Sequence, residues 1–391
     1  MRVLHRGAHP EGRRRGRKRG GGRRGRLGGH RDQGRRGLRP RAPGVQARPD
    51  ARALSGAPVT TPPLDPDAQW VVVDTDTGID DAHSLLYLLA QPDVQILGIT
   101  TVYGNCSVED SARNVQTVLR LTGREDIPVH GGAAAPLEGE PSIAWFVHGH
   151  DGLGDRGLDR AEARLADEDA ADYLVRIANE HPGRIDLHPL GPLTNIALAL
   201  EKDPELFLKF RSVVIMGGAG PYPAPGEATV TDANTHNDRA AAERVFRAPN
   251  AGNVVMVGVN VTSTALLEED VTALLLGSDR PEAVFAGTIL DAYNDFYQYK
   301  WGRRISAAHD GLASVILHRP EIVTGWVEGP VDFTPAAGSL ATRVALTSAG
   351  LPLVFGTPEG PSVRAVTAVD LPAFRRRFVH ALAFGREGAR G

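Results

Sequence analysis

Short apolar runs and longer amphipathic stretches take turns along this chain from about residue 70 onward. Val71-Val72-Val73, Val94 to Val102, Pro128-Val129-His130, Ile185 to Leu190, Ser212 to Met216 and Val254 to Val261 read as strands. Continuous β-branched runs of this kind suit strands buried on both faces, as in a parallel sheet. Helices are predicted where Leu85, Leu86, Leu88 and Leu89 follow the first strand, then over Val108 to Leu121, 167–180, Ile196 to Glu201, from Asp238 through Arg247, and over 283–301. Strand, short loop, helix, strand is the rhythm of the βαβ unit. The fold class expected is therefore α/β, an open, mostly parallel, Rossmann-like sheet flanked by helices. From about residue 322 the pattern turns to short β segments, and Leu371 to Phe384 predicts a terminal helix.

The first 53 residues do not share that pattern. They are Arg- and Gly-rich, with patches such as Arg13-Arg14-Arg15-Gly16-Arg17-Lys18-Arg19 and almost no large apolar side chains. Such a segment buries too little surface to offset its ordering entropy, so a disordered basic N-terminal tail is expected. It holds about 18 of the 44 basic residues and about 3 of the 47 acids, so the net charge of -3 conceals a remainder near -18. Phosphate contacts are open to such a tail, but it lacks aromatic residues to stack on bases, and nucleic acid is not expected as a partner. A passive tail, or a start codon set too far upstream, is the simpler reading. Residues 54–69, with Pro58, Pro62, Pro63 and Pro66, read as a linker. The division expected is 1–69 as tail and linker and 70–391 as one catalytic domain. A single cysteine, Cys106, excludes an intramolecular disulfide and suits a reducing cytoplasm, while no run reaches the length of a membrane span.

Candidate chemistry concentrates where the first strand ends. Asp74, Asp76, Asp80 and Asp81 fall within eight positions around Gly78. Packed together they repel, and a hard cation is the economical way to neutralise them. Solvated loop acids and a helix cap would need only one or two. Polar residues recur at the other strand ends, at Asn105, Asn195, Asp232 to Asn234, His309 and Asp310, and in an open sheet these ends share one edge. Asp74-Thr75-Asp76-Thr77 alone also suits a haloacid-dehalogenase-like phosphatase, in which the first Asp attacks phosphorus, but Gly78 and a further Asp pair depart from that pattern.

The paired form Asp-x-Asp-x-Gly-x-Asp-Asp at 74–81 resembles the signature of the nucleoside hydrolases, the inosine-uridine-preferring family. Further stretches match that family in order: Thr100 to Asn105 with Arg113-Asn114, His148-Gly149 with Gly152-Leu153, Gly191 to Asn195, Met216-Gly217-Gly218, Asn234, and His309-Asp310. The likeness spans about 70–385. It implies the nucleoside hydrolase fold, a Ca2+ ion held by Asp76, Asp81, Asp310 and the backbone oxygen of Leu190, and hydrolysis of a small-molecule ribonucleoside to ribose and free base. Asp76 would also accept the proton of the attacking water, and His309 would protonate the departing base. Asp80, Asn105, Met216, Asp232 and Asn234 would hold ribose, with Asp74 supporting the turn. His148, Tyr293 and Tyr297 would lie by the base, with Trp145, Phe146 and Trp301 as weaker candidates and His150 on the same loop.

Asp232-Ala233-Asn234 stands where the family more often has Glu-aromatic-Asn, and the loop from Pro221 to Thr229 lacks a clear match. These departures motivate the other reading, a nucleoside- or sugar-binding protein of the same fold without turnover. The likeness also implies a role in nucleoside catabolism or salvage and a homo-oligomer, dimer or tetramer.

Overall fold

The β-branched runs do form a parallel sheet, and its order explains where polar residues collect. In the computed structural model, residues 63–220, 232–333 and 360–386 are described, with short paired segments at 335–336, 339–340 and 343–344. The basic tail, the linker up to residue 62 and most of the 220–232 loop lie outside the described residues.

The main sheet contains β1 (Gln69–Thr75), β2 (Val94–Thr101), β3 (Val129–Gly131), β4 (Ile185–Pro189), β5 (Ser212–Met216) and β6 (Val254–Val257). Its order is β3-β2-β1-β4-β5-β6, continued by the strand Val363–Val369 and then Val323–Gly329. All neighbours are parallel except the last pair, which is antiparallel. The chain thus winds outward from β1 in one direction, returns, and leaves through β4 in the other. That reversal opens a crevice at the C-terminal ends of β1 and β4.

Alternate side chains of β1 serve opposite faces, as a pleated strand requires. Val71 and Val73 join an apolar cluster with the helices Ile79–Leu89, Pro281–Trp301, His309–His318 and Leu371–Phe384. Trp70 and Val72 join a second cluster with Ala170–Glu180, Thr194–Lys202 and Arg239–Phe246. The two layers leave the strand ends as the open edge.

Three differences from the sequence reading have physical causes. The strand expected over 254–261 stops at Val257, because β5 ends opposite it at Met216 and offers no further partner; Val259–Thr262 closes a helical turn instead. Val363–Val369 enters the main sheet beside β6, so the C-terminal β segments include two full-length sheet members. Residues 63–69 are docked: Leu64 and Ala68 pack on the second cluster, and Trp70 Nε1 donates to the Asp65 carbonyl at 2.6 Å.

Candidate active site

The turn after β1 folds around its own aspartates. Asp81, at the third helical position, accepts the Gly78 N–H at 2.9 Å and the Thr75 hydroxyl at 2.6 Å, which caps the helix Ile79–Leu89. Asp76 turns towards the end of β2, accepting from Asn105 N at 2.7 Å and Asn105 Nδ2 at 3.2 Å. The same amide donates to Asp81 at 2.8 Å, so Asn105 bridges the two carboxylates. Gly104 makes that approach possible: its φ is +153°, and a Cβ there would stand 2.1 Å from Asp76 Oδ2. Asp74 accepts from Thr100 at 2.5 Å and Asn195 at 2.7 Å, fully buried. A carboxylate held that way supports the turn and has no path to a phosphorus atom.

Asp310 returns from the start of the helix His309–His318. One carboxylate oxygen each from Asp80, Asp81 and Asp310 lie within 4.8 Å of one another, all three residues buried. Asp76 is not in that trio, although it was expected among the ligands; it sits close enough that Asp81 and Asp80 both raise its pKa. Burial, then mutual repulsion, holds Asp76 and Asp310 well above the ordinary carboxylate range and pushes Asp80 to about 8. Burial alone takes Asp74 to about 6 against its two donors. Three hard oxygens that repel at this distance fit a divalent cation, which would neutralise them without protons. Leu190, at the end of β4, has its N–H on the Asp74 carbonyl at 2.7 Å and its own carbonyl on Asn234 Nδ2.

Beside the trio opens a cavity of about 290 Å3, lined by Asp80, Asn105, His148, Leu190, Met216, Asp232, Asn234, Tyr293, Tyr297, His309 and Asp310 among others. The volume is near the lower end of small-ligand sites, roughly 300–1,000 Å3. One end is polar. Asn234 donates to the carbonyls of Leu190 and Met216, and Asp232 accepts from Gly218 N, Thr235 N and the Thr235 hydroxyl. Asp232 therefore spends its carboxylate on capping and on the Gly217-Gly218 turn. The other end is aromatic: Tyr293 and Tyr297 meet edge to face at 5.0 Å, and Trp301 lies 4.2 Å from Tyr297.

His309 stands between the two ends. Its Nδ1 is 2.7 Å from the Thr262 hydroxyl and its Nε2 3.1 Å from the Tyr297 hydroxyl. Burial, then Lys300 and His148, lowers its pKa to about 4. His148 is also held neutral, at about 4 through burial, and its Nδ1 accepts the Ile79 N–H at 3.1 Å. Phe146 and Trp301 line the cavity, whereas Trp145 is largely exposed and stacks on His150, itself paired with Asp155 outside the pocket.

Residues 71–376 match the family described as inosine-uridine preferring nucleoside hydrolase. The chain belongs to that family. A relative in Oryza sativa subsp. japonica, named probable uridine nucleosidase 2, is 36% identical over 67% of this chain and 77% of its own length. The pyrimidine-specific ribonucleoside hydrolase RihA of Citrobacter koseri is 34% identical over 65% and 80% respectively. Among solved structures, the plant nucleoside hydrolase PpNRh1 superposes with a TM-score of 0.74 at 29% identity, covering 81% of this chain and 99% of that one.

In this nucleoside hydrolase the sequence motifs carry the acids but not their neighbours. Thr262, which contacts His309, lies just past the 254–261 run expected as strand, at the end of the helical turn Val259–Thr262. Phe296 and Lys300 also line the cavity. Their signal was present: 293, 296, 297 and 300 share one helical face. Lys300 holds its ammonium 5.6–5.9 Å from the rings of Phe296, Tyr297 and Trp301.

Proposed function

We propose that the protein hydrolyses the N-glycosidic bond of ribonucleosides, uridine first among them, releasing ribose and free base. The observation that carries this is the return of Asp310 to Asp80 and Asp81 on the floor of a cavity with one polar and one aromatic end. The relatives named for uridine and pyrimidine ribonucleosides support the choice of substrate.

Asp80, Asp81 and Asp310, with the Leu190 carbonyl, would hold Ca2+, and Asp76 adjoins them. Bound there, the ion would supply positive charge and Lewis acidity towards a water and the sugar hydroxyls. Asp76 receives the proton of the attacking water, its carboxylate form favoured beforehand by the two Asn105 donors. Asp80, Asn105 and Asn234 bind the ribose hydroxyls, with contacts that tighten as C1′ gains oxocarbenium character. Tyr293, Tyr297 and His148 flank the base and keep water from it. His309 and the Tyr297 hydroxyl upon it are the proton-bearing groups beside the departing base.

The test is direct. Full-length protein with Ca2+ is incubated with uridine, cytidine, inosine and adenosine, and free ribose is assayed. Release from uridine that Asp310→Ala abolishes is the expected result. A folded protein that binds uridine and releases no ribose from any of the four would replace hydrolysis with binding alone.

A further inference from the structure

The carboxylate trio comes from two helices, and two side-chain hydrogen bonds cross between them. Tyr87 meets His318 at the far end, at 2.9 Å. Ser84 meets Ser314, hydroxyl to hydroxyl, much closer to the acids. Ser84 is one turn beyond Asp80, and Ser314 one turn beyond Asp310, so this crossing lies directly beneath the carboxylates.

The Ser84–Ser314 contact is part of a longer chain. Ser314 Oγ is 2.9 Å from His188 Nε2, and His188 Nδ1 is 2.7 Å from the Val214 carbonyl. A carbonyl only accepts, so Nδ1 carries the ring proton. With the proton of the neutral imidazole on Nδ1, Nε2 faces Ser314 as an acceptor. Ser314 must then donate to His188, and Ser84 to Ser314. Each proton has one place to go, and the direction is fixed from a single backbone oxygen. Ser84, Ser314 and His188 have no solvent exposure, so each missing bond would leave a buried polar group unmet.

We infer that Ser84, Ser314 and His188 are positioning residues that set the spacing of Asp80, Asp81 and Asp310 in advance of the cation. This rests on the reading that the trio holds a divalent ion. His188 stands two residues before Leu190, and Val214 two before Met216, so the chain ties β4 and β5 to both acid-bearing helices. Ionised carboxylates at this separation push their helices apart. A directed hydrogen bond one turn below resists that opening, and a preset cradle binds its ion with less reorganisation.

The probe is Ca2+ itself, titrated into the full-length metal-free protein by calorimetry, with thermal midpoints measured alongside. Ser314→Ala breaks both of its links, and Ca2+ affinity should fall by about 10-fold or more, the scale for groups behind metal ligands. Ser84→Ala leaves the Ser314–His188 bond and should lose less; it also keeps the inference testable if Ser314→Ala does not fold. Tyr87→Phe removes the other crossing between the same helices, and should lower the midpoint with Ca2+ affinity intact. Unchanged affinity in both serine variants overturns the inference, as does an equal loss in Tyr87→Phe. Wild-type protein that binds no divalent ion would instead overturn the metal reading on which it stands.

Discussion

Removing the cation should destabilise the protein by an amount that grows with pH. In the metal-free fold Asp80 has its pKa pushed to about 8, from an unfolded value of 3.8. A carboxyl raised in this way gives stability that is complete below 3.8 and is lost as pH rises towards 8. Each proton that the native state alone holds is worth about 1.4 kcal/mol per pH unit. From about pH 6 to about pH 8, Asp80 by itself therefore costs roughly 2 kcal/mol, allowing for its midpoint at the upper end. Asp76 and Asp310 are displaced in the same direction and add to the loss. In the Ca2+-loaded protein all three are ionised in both states, and the slope vanishes. For a domain of this size about 1 kcal/mol corresponds to roughly 2 °C, so the gain in Tm on adding saturating Ca2+ should be about 5 °C larger at about pH 8 than at about pH 6. Buried histidines titrate between these pH values in the unfolded chain, but they act on loaded and metal-free protein alike and cancel in the difference. Scanning calorimetry of dialysed protein with and without Ca2+ is the assay. An equal gain at both pH values, or a larger one at the lower, would refute the argument.

Four further outcomes can be measured. Gly104→Ala places a Cβ 2.1 Å from Asp76 Oδ2, so it should cost roughly 1–3 kcal/mol in denaturant unfolding and most of the turnover. Lys300→Met should slow uridine hydrolysis by about 10-fold in kcat while sparing 4-nitrophenyl riboside, whose leaving group needs no help; equal losses on both would remove Lys300 from leaving-group stabilisation. Thr262→Val should alter the pH dependence of kcat for uridine, because it strips the hydroxyl from His309 Nδ1; a profile identical to wild type would make that contact structural. The Ca2+-loaded protein should lose stability as pH falls from about 6.5 towards 4, since His83 and His188 are held at about 4 by burial and their stabilisation is present only above the unfolded pKa. A flat Tm across that window would contradict their neutral burial.

The parallel sheet was legible because a β-branched run buried on both faces has few other places to go, and Val71-Val72-Val73 shows it with alternating sides feeding two helix layers. Order along the chain also announced the acids, since Asp74 to Asp81 and His309-Asp310 are strings of types. Their division of labour was less legible, because it depends on which neighbour a carboxylate faces. Asp76 and Asp81 were both expected on the cation. Spacing alone could not show that Asn105 would donate twice to Asp76, or that Asp80 would bring an oxygen close to Asp81 and Asp310. Asp232 poses the same problem at the other end: a Glu-like acid in sequence, it is consumed by a turn and a cap in space. A carboxylate becomes available to a ligand only when fewer donors reach it than it has lone pairs. By that count Asp232 is filled, with four donors from Gly218, Asn234 and Thr235, whereas Asp74 and Asp76 each accept two. Asp80, Asp81 and Asp310 face one another across the helix pair, and their repulsion in a buried site is the strongest physical reason to place a cation between them.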